Sequence, residues 1–202
     1  MKIKSAFKEY SVDFCRDLSL LQDLAAAKDT FFVLDRTVYE LYKDRLPDLP
    51  KDRFLLLEAV EEKKNMAAML AICERMTEMS AKRNSHLVSL GGGITQDLTT
   101  LASNLFLRNV DWYFFPTTLL SMCDSCIGGK CGINVGAYKN QIGVFYPPKE
   151  IFIDAHFIDT LSPADYLNGW GEILKFSLTS DAAFYEELKA ESSYIPCERI
   201  TY

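Results

Sequence analysis

The sequence predicts an α/β fold: a parallel sheet with helices on both faces, followed by the start of an α-helical region. Three observations carry this. Short continuous apolar runs, not alternating ones, recur through the first 155 residues, as strands buried on both faces require. Stretches with apolar residues three and four apart separate them, as helices with one buried face require. Beyond residue 155 only the helical pattern remains. The expected organisation is a Rossmann-like domain over 1–155 and an incomplete helical domain over 156–202, the second too short to bury a full core of its own.

The elements follow in order. Residues 30–35 (TFFVLD) read as a strand ending in an acid, residues 38–46 as an amphipathic helix, and residues 54–57 (FLLL) as a second strand. From 65 to 82, Met66, Met69, Leu70, Cys73, Met76 and Met79 recur at helical spacing, which reads as a core-facing stripe. Residues 86–90 form a strand that runs into Gly91-Gly92-Gly93, and 97–108 read as a helix. A strand at 110–115 closes at Pro116, another lies at 151–154, and helices are expected at 163–178 and 182–190.

Twenty-two Lys and Arg against 28 Asp and Glu give a net charge of −6, which argues against nucleic acid as a partner. The 49% hydrophobic content excludes a disordered chain. No apolar run is long enough to span a bilayer, and Met1-Lys2-Ile3-Lys4 opens no signal-peptide stretch, so no membrane and a cytoplasmic location are expected. The six cysteines are Cys15, Cys73, Cys123, Cys126, Cys131 and Cys197. Cys123 and Cys126 have the spacing of a metal or redox knuckle, but no second knuckle accompanies them, and the preferred reading is small reduced thiols.

Chemistry is expected at the carboxyl ends of the strands. Three glycines between a strand and a helix let the backbone approach a pyrophosphate at a helix N-terminus, although the spacing is not the Gly-x-Gly-x-x-Gly fingerprint and a purely structural turn remains open. Asp35 suits a ribose hydroxyl or, equally, a helix cap. Residues 116–148 concentrate Asp124, Lys130, Asn134, Lys139 and Asn140 among glycines. Without a helix or strand period, this segment reads as a long binding loop, packed through Ile127, Ile133, Ile142 and Phe145.

These residues together resemble the dehydroquinate synthases, within the wider sugar phosphate cyclases. The resemblance runs from about residue 35 to 188. It rests on Gly91-Gly92-Gly93 with Asp97, Leu107-Arg108, the PTTLL run at 116–120, Asp124-Ser125, Gly128-Gly129-Lys130, Lys139-Asn140 with Ile142-Gly143, and Glu172 with Lys175. It implies a lyase that converts 3-deoxy-arabino-heptulosonate 7-phosphate to 3-dehydroquinate and phosphate. In that chemistry NAD takes and returns a hydride around a phosphate elimination, an aldol step closes the ring, and a zinc or cobalt ion polarises the substrate hydroxyl.

By the same resemblance Asp35, Glu61, Lys64, Gly91, Gly92, Gly93, Asp97, Thr117, Thr118, Lys139, Phe157 and Thr160 bind the cofactor. Asp124, Lys130, Asn140 and Lys175 contact the substrate, with Asp124, Lys130 and Lys175 catalytic. Glu172 is a metal ligand, and Arg108 reaches the phosphate in a neighbouring subunit, which implies a homodimer. Without the resemblance, Glu172 and Lys175 read as a surface ion pair on one helix face.

The match has departures. The family's metal-binding histidines lie further along the helical domain than this chain runs. His86 is remote in sequence, and His156 occupies a position the family does not use. The chain is therefore expected to be a fragment, inactive alone. Gln96, Asn109 and Tyr138 stand where the family has glycines, and Trp170-Gly171 replaces a small or aliphatic pair. Gln96 is expected to crowd the pyrophosphate and Tyr138 to reshape the substrate mouth. The alternatives are a cyclase of the same family with another sugar phosphate, a non-catalytic nucleotide-binding module, and a cysteine-based metal or redox protein.

Overall fold

A computed structural model of the chain describes residues 1–15 and 17–190. Two strands come first, β1 (Lys2–Lys4) and β2 (Glu9–Phe14), then α1 (Ser19–Ala26). Next are β3 (Thr30–Asp35), α2 (Arg36–Tyr42), β4 (Phe54–Leu57), α3 (Met66–Glu78), β5 (His86–Gly91), α4 (Gly93–Leu105) and β6 (Asp111–Pro116). A π-helical turn at Ser121–Ser125 precedes a hairpin of β7 (Ile133–Val135) and β8 (Tyr138–Ile142). The chain continues through β9 (Glu150–Ile153), a 3₁₀ segment at Ala155–Thr160, α5 (Pro163–Thr179) and α6 (Ala182–Ala190).

Seven strands form one sheet in the order β1-β2-β9-β6-β5-β3-β4. Only the β1–β2 pair is antiparallel. The expected parallel α/β sheet is therefore present, and its central strands are apolar throughout because both faces are covered. Phe31, Phe32, Val33 and Leu34 of β3, and Trp112, Phe114 and Phe115 of β6, are all buried. From β3 the chain steps outward to β4, then crosses back to β5 on the other side of β3. That reversal leaves a crevice between the carboxyl ends of β3 and β5, where Asp35 and Gly91 stand.

The structure corrects several expectations. The strands β1 and β2 were not legible because β2 buries one face only: Tyr10 and Val12 point inward while its neighbours are polar or exposed. The α2 helix begins at Arg36 because Asp35 caps it. Met69, Ile72 and Met76 of the expected methionine stripe are core, but Met66 and Leu70 are exposed. The 116–148 segment is not one loop, since it holds the π turn and the hairpin. Of its four apolar anchors Ile133 is buried, whereas Ile127, Ile142 and Phe145 are exposed.

The helix expected at 97–108 instead starts at Gly93 and ends at Leu105. Leu107, Arg108 and Asn109 then take successive positive φ values of 46°, 64° and 91°. Asn109 holds a glycine-like conformation, steadied by the Asn104 side-chain amide donating to its Oδ1 at 3.0 Å. Cys197 and the rest of 191–202 lie outside the described residues.

Candidate functional site

A cleft of about 720 Å³ opens at the switch point of the sheet. Asp35, Glu61, Lys64, Gly92, Gly93, Asp97, Thr117, Thr118, Asp124, Phe157 and Thr160 all line it. The same strand ends that create the crevice deliver these side chains.

Asp35 caps a helix and also lines the cleft. Its Oδ1 accepts from the Thr37 amide at 2.8 Å, capping α2, while the residue also lines the cleft. Burial raises its carboxyl above the ordinary range, and the α2 amides pull it back. Opposite, α4 starts at the glycine turn with no side chain capping its first amides.

The three glycines are not equivalent. A Cβ on Gly91 would lie 2.5 Å from Thr95 Oγ1 and 2.7 Å from its Cβ, so Gly91 is required by strand-to-helix packing. At Gly92 it would stand 3.0 Å from Thr118 Cγ2, and at Gly93 only 3.7 Å from Ser125 Oγ. Gly91 does not line the cleft itself, and its carbonyl accepts from the Thr117 amide at 3.0 Å. Thr117 is 2% exposed, lines the cleft, and its Oγ1 has no hydrogen-bond partner.

Gln96 does not line the cleft. Its side chain is bound to Ser125, with Nε2 donating to the Ser125 carbonyl at 2.6 Å and Oε1 accepting from Ser125 Oγ at 2.7 Å. A larger side chain than glycine is accommodated because it ties α4 to the π turn that carries Asp124.

A buried ion pair forms the floor at the α4 side. Lys64 Nζ lies 2.5 Å from Asp97 Oδ2 and donates to Asn140 Oδ1 at 2.7 Å. Burial raises the Asp97 carboxyl, and Lys64 and the exposed Lys130 oppose that rise. Beside it, Glu61 is held below the ordinary carboxylate range, first by the Asn134 side chain and then by Lys64 and Lys139. Lys139 Nζ stands 3.4 Å from Glu61 Oε1. Lys130, Lys139 and Asn140 are thus gathered beside the cleft without lining it.

The opposite wall comes from the segment after β9. Tyr42 Oη donates to the His156 carbonyl at 2.9 Å and lies 2.8 Å from Thr160 Oγ1, while its ring meets Phe157 edge-on at 4.8 Å. Sequence reasoning missed Tyr42; its place on the inner face of α2 was the only available signal. Helix α5 is seated by Gly169, where a Cβ would lie 2.6 Å from Leu119 Cβ.

Glu172 and Lys175 pair with each other one turn further along α5. Glu172 raises the Lys175 pKa most, with smaller contributions from Asp124 and Cys123, so this pair stands within electrostatic reach of the π turn but outside the cleft lining. Arg108 is exposed at the far end of α4. Thirteen residues of helix separate it from the glycine turn, or about 20 Å, so it does not join the cleft of its own chain. His156 is held by Asp154, with Nδ1 2.7 Å from Oδ1. Burial pushes the Cys126 thiol up to about 12 and Cys131 to about 11, as for neutral packed thiols. Among the described residues no three His, Cys, Asp or Glu side chains converge as a metal site.

Residues 54–168 match the family model for the 3-dehydroquinate synthase N-terminal region. The chain is 35% identical over 193 residues to the 3-dehydroquinate synthase of Clostridium tetani, covering 92% of this chain and 48% of that one. The chain belongs to the 3-dehydroquinate synthase family. The enzyme of Parabacteroides distasonis is 37% identical over 185 residues, covering 88% of this chain and 52% of its own length. The chain thus spans about half the length of the curated relatives it matches. A solved 2-epi-5-epi-valiolone synthase from Streptomyces hygroscopicus, with NAD+ and Zn2+ bound, superposes with a TM-score of 0.83 at 30% identity, over 99% of this chain and 58% of that one.

Proposed function

We propose that this chain carries the nucleotide-binding part of a 3-dehydroquinate synthase, a lyase that takes 3-deoxy-arabino-heptulosonate 7-phosphate to 3-dehydroquinate and phosphate. The observation that carries the reading is the cleft at the switch point, lined by Asp35, by the uncapped glycine turn and by Thr117 and Thr118. The backbone at Gly92 leaves the close approach that a pyrophosphate needs. The residues present therefore fit NAD, as in the solved relative.

When bound, NAD+ accepts a hydride from a substrate carbinol and later returns it. Asp35 offers a ribose acceptor, the α4 amides face the pyrophosphate, and Phe157 and Thr160 shield the cleft on the Tyr42 side. Lys64, fixed between Asp97 and Asn140, presents an ammonium whose direction is set before any ligand arrives. Asp124 on the π turn holds substrate hydroxyls, and Lys130 and Lys175 offset phosphate charge. Glu172 alone does not make a metal site among the described residues, so no step is assigned to a metal here. The reading includes domains over 1–155 and 156–202 and a cytoplasmic homodimer in which Arg108, about 20 Å from its own glycine turn, serves the neighbouring cleft.

Calorimetric titration of the chain with NAD+ tests this. Saturable one-site binding that is lost in Asp35→Ala is the expected result; a titration with no saturable heat overturns the cofactor reading. A cyclase of the same family acting on another sugar phosphate is the second reading, favoured by the 30% identity to the valiolone synthase. Mass spectrometry of the product formed when the catalytically competent protein that contains this chain turns over a sugar phosphate separates the two.

A further inference from the structure

We propose that Asn134 is a positioning residue of this cleft: its backbone amide holds Lys64 while its side chain sets Glu61 and Asn140 relative to it. The inference deepens the cofactor reading above and rests on it for its functional consequence.

Asn134 sits on β7, outside the cleft lining, and its groups are divided among three partners. Its backbone amide donates to the Lys64 carbonyl at 2.8 Å. Its side-chain Nδ2 donates to the Glu61 carbonyl at 3.3 Å and to Glu61 Oε1 at 2.9 Å. Its Oδ1 accepts from the Asn140 amide at 2.9 Å. Neither the reverse orientation of the carboxamide nor a shorter side chain serves: reversed, Nδ2 would meet a donor and Oδ1 would meet two acceptors.

The last bond matters most. Asn140 adopts φ 55°, a left-handed conformation that asparagine tolerates better than most residues with a side chain. In that conformation its Oδ1 accepts from Lys64 Nζ at 2.7 Å, the same ammonium that pairs with Asp97. Asn134 therefore fixes both ends of the Lys64–Asn140 contact, one through the backbone of Lys64 and the other through the backbone of Asn140. A lysine tied only to Asp97 is free to swing about that carboxylate. Held also by Asn140, its charge keeps one direction within the cleft.

Two variants separate this role from plain packing. Asn134→Ala removes both side-chain functions. Asn134→Asp keeps the size and the acceptor for Asn140 but removes the donor, and it sets a second carboxylate against Glu61. The groups facing that carboxylate are Lys139 from β8 and Lys64, with Glu61 Oε1 itself the near neighbour.

The first measurement needs no ligand. Amide hydrogen exchange followed by NMR on the whole polypeptide is expected to accelerate at Asn140 by about tenfold in Asn134→Ala, as for loss of one hydrogen bond. It is expected to stay near wild type in Asn134→Asp. Unchanged exchange in the alanine variant overturns the proposal whatever NAD+ does.

The second measurement is NAD+ affinity by calorimetry at pH 5.5 and 8. The aspartate variant is expected to bind about tenfold more weakly at pH 8 and to recover toward wild type at pH 5.5, as the facing carboxylates share a proton. The alanine variant is expected to lose affinity equally at both. Affinity in Asn134→Asp that matches wild type at both pH values overturns the link between Asn134 and the cleft. If wild type itself binds no NAD+, the cofactor reading falls, while the exchange result still decides whether Asn134 holds Asn140.

Discussion

The two ends of the candidate site are built by different physics. At the sheet end, Lys64 and Asp97 are an ion pair with side chains 9% and 17% exposed, locked by hydrogen bonds to Asn140 and the hairpin. On α5, Glu172 and Lys175 are also an ion pair, but Lys175 is 54% exposed and bonds only along its own helix. The first pair is held from several elements at once, so its geometry is a property of the fold. The second is held by helix periodicity alone. Its neighbours Leu174 and Leu178 are 45% and 73% exposed, so among the described residues nothing fixes the direction in which it acts.

Removing one partner from each pair should expose that contrast most strongly. Lys64→Met leaves Asp97 buried without its cation and is expected to cost about 3–5 kcal/mol in urea denaturation. Adding Asp97→Asn should recover most of the loss. Lys175→Met is expected to leave the midpoint unchanged, and an equal drop for both variants would show that α5 is as tightly built as the sheet end.

The glycine turn sharpens the comparison within the sheet end. Gly91→Ala forces a methyl into Thr95 and is expected to lower stability by about 1–3 kcal/mol. Gly93→Ala, which meets only Ser125 Oγ at 3.7 Å, is expected to stay within about 0.5 kcal/mol. Equal costs in parallel denaturation curves would mean that the strand-to-helix contact at Gly91 is not what makes that glycine necessary.

A smaller effect should appear at alkaline pH. The Cys126 thiol is raised from 9.0 to about 12 in the fold. A raised folded-state value means that the stability present below pH 9 is lost as pH climbs toward 12, because the unfolded thiol ionises first. By pH 10 the loss from this thiol is expected to reach about 1.4 kcal/mol. Denaturation at pH 8 and 10 reads it, and Cys126→Ala should flatten the slope; an unchanged slope would place the alkaline sensitivity elsewhere.

Much of the cleft was legible because its residues sit where patterns change. Asp35 ends an apolar run and the glycines join a strand to a helix, while Thr117 and Thr118 were named by the family resemblance. What the pattern hid was whatever depends on partners distant in sequence. The β7–β8 hairpin has all of β8 exposed and Ile133 as its one fully buried anchor, so it carries no strand period. Gln96 looked obstructive beside the glycines, yet its direction is set by Ser125, twenty-nine residues away. Tyr42 earns its role from Thr160, 118 residues away.

The sequence by itself determined the parallel sheet, the place of the glycine turn and Asp35 at a strand end, because burial on two faces and helix periodicity are local properties of composition and spacing; the other cleft residues were named by family resemblance. The tertiary structure alone decided that Lys64 is paired with Asp97, that Asn134 joins the hairpin to Glu61 and Lys64, and that Arg108 stands exposed beyond the far end of α4. Those outcomes depend on strand order and on the length of α4. Contacts between elements distant in the chain leave no periodic trace in it.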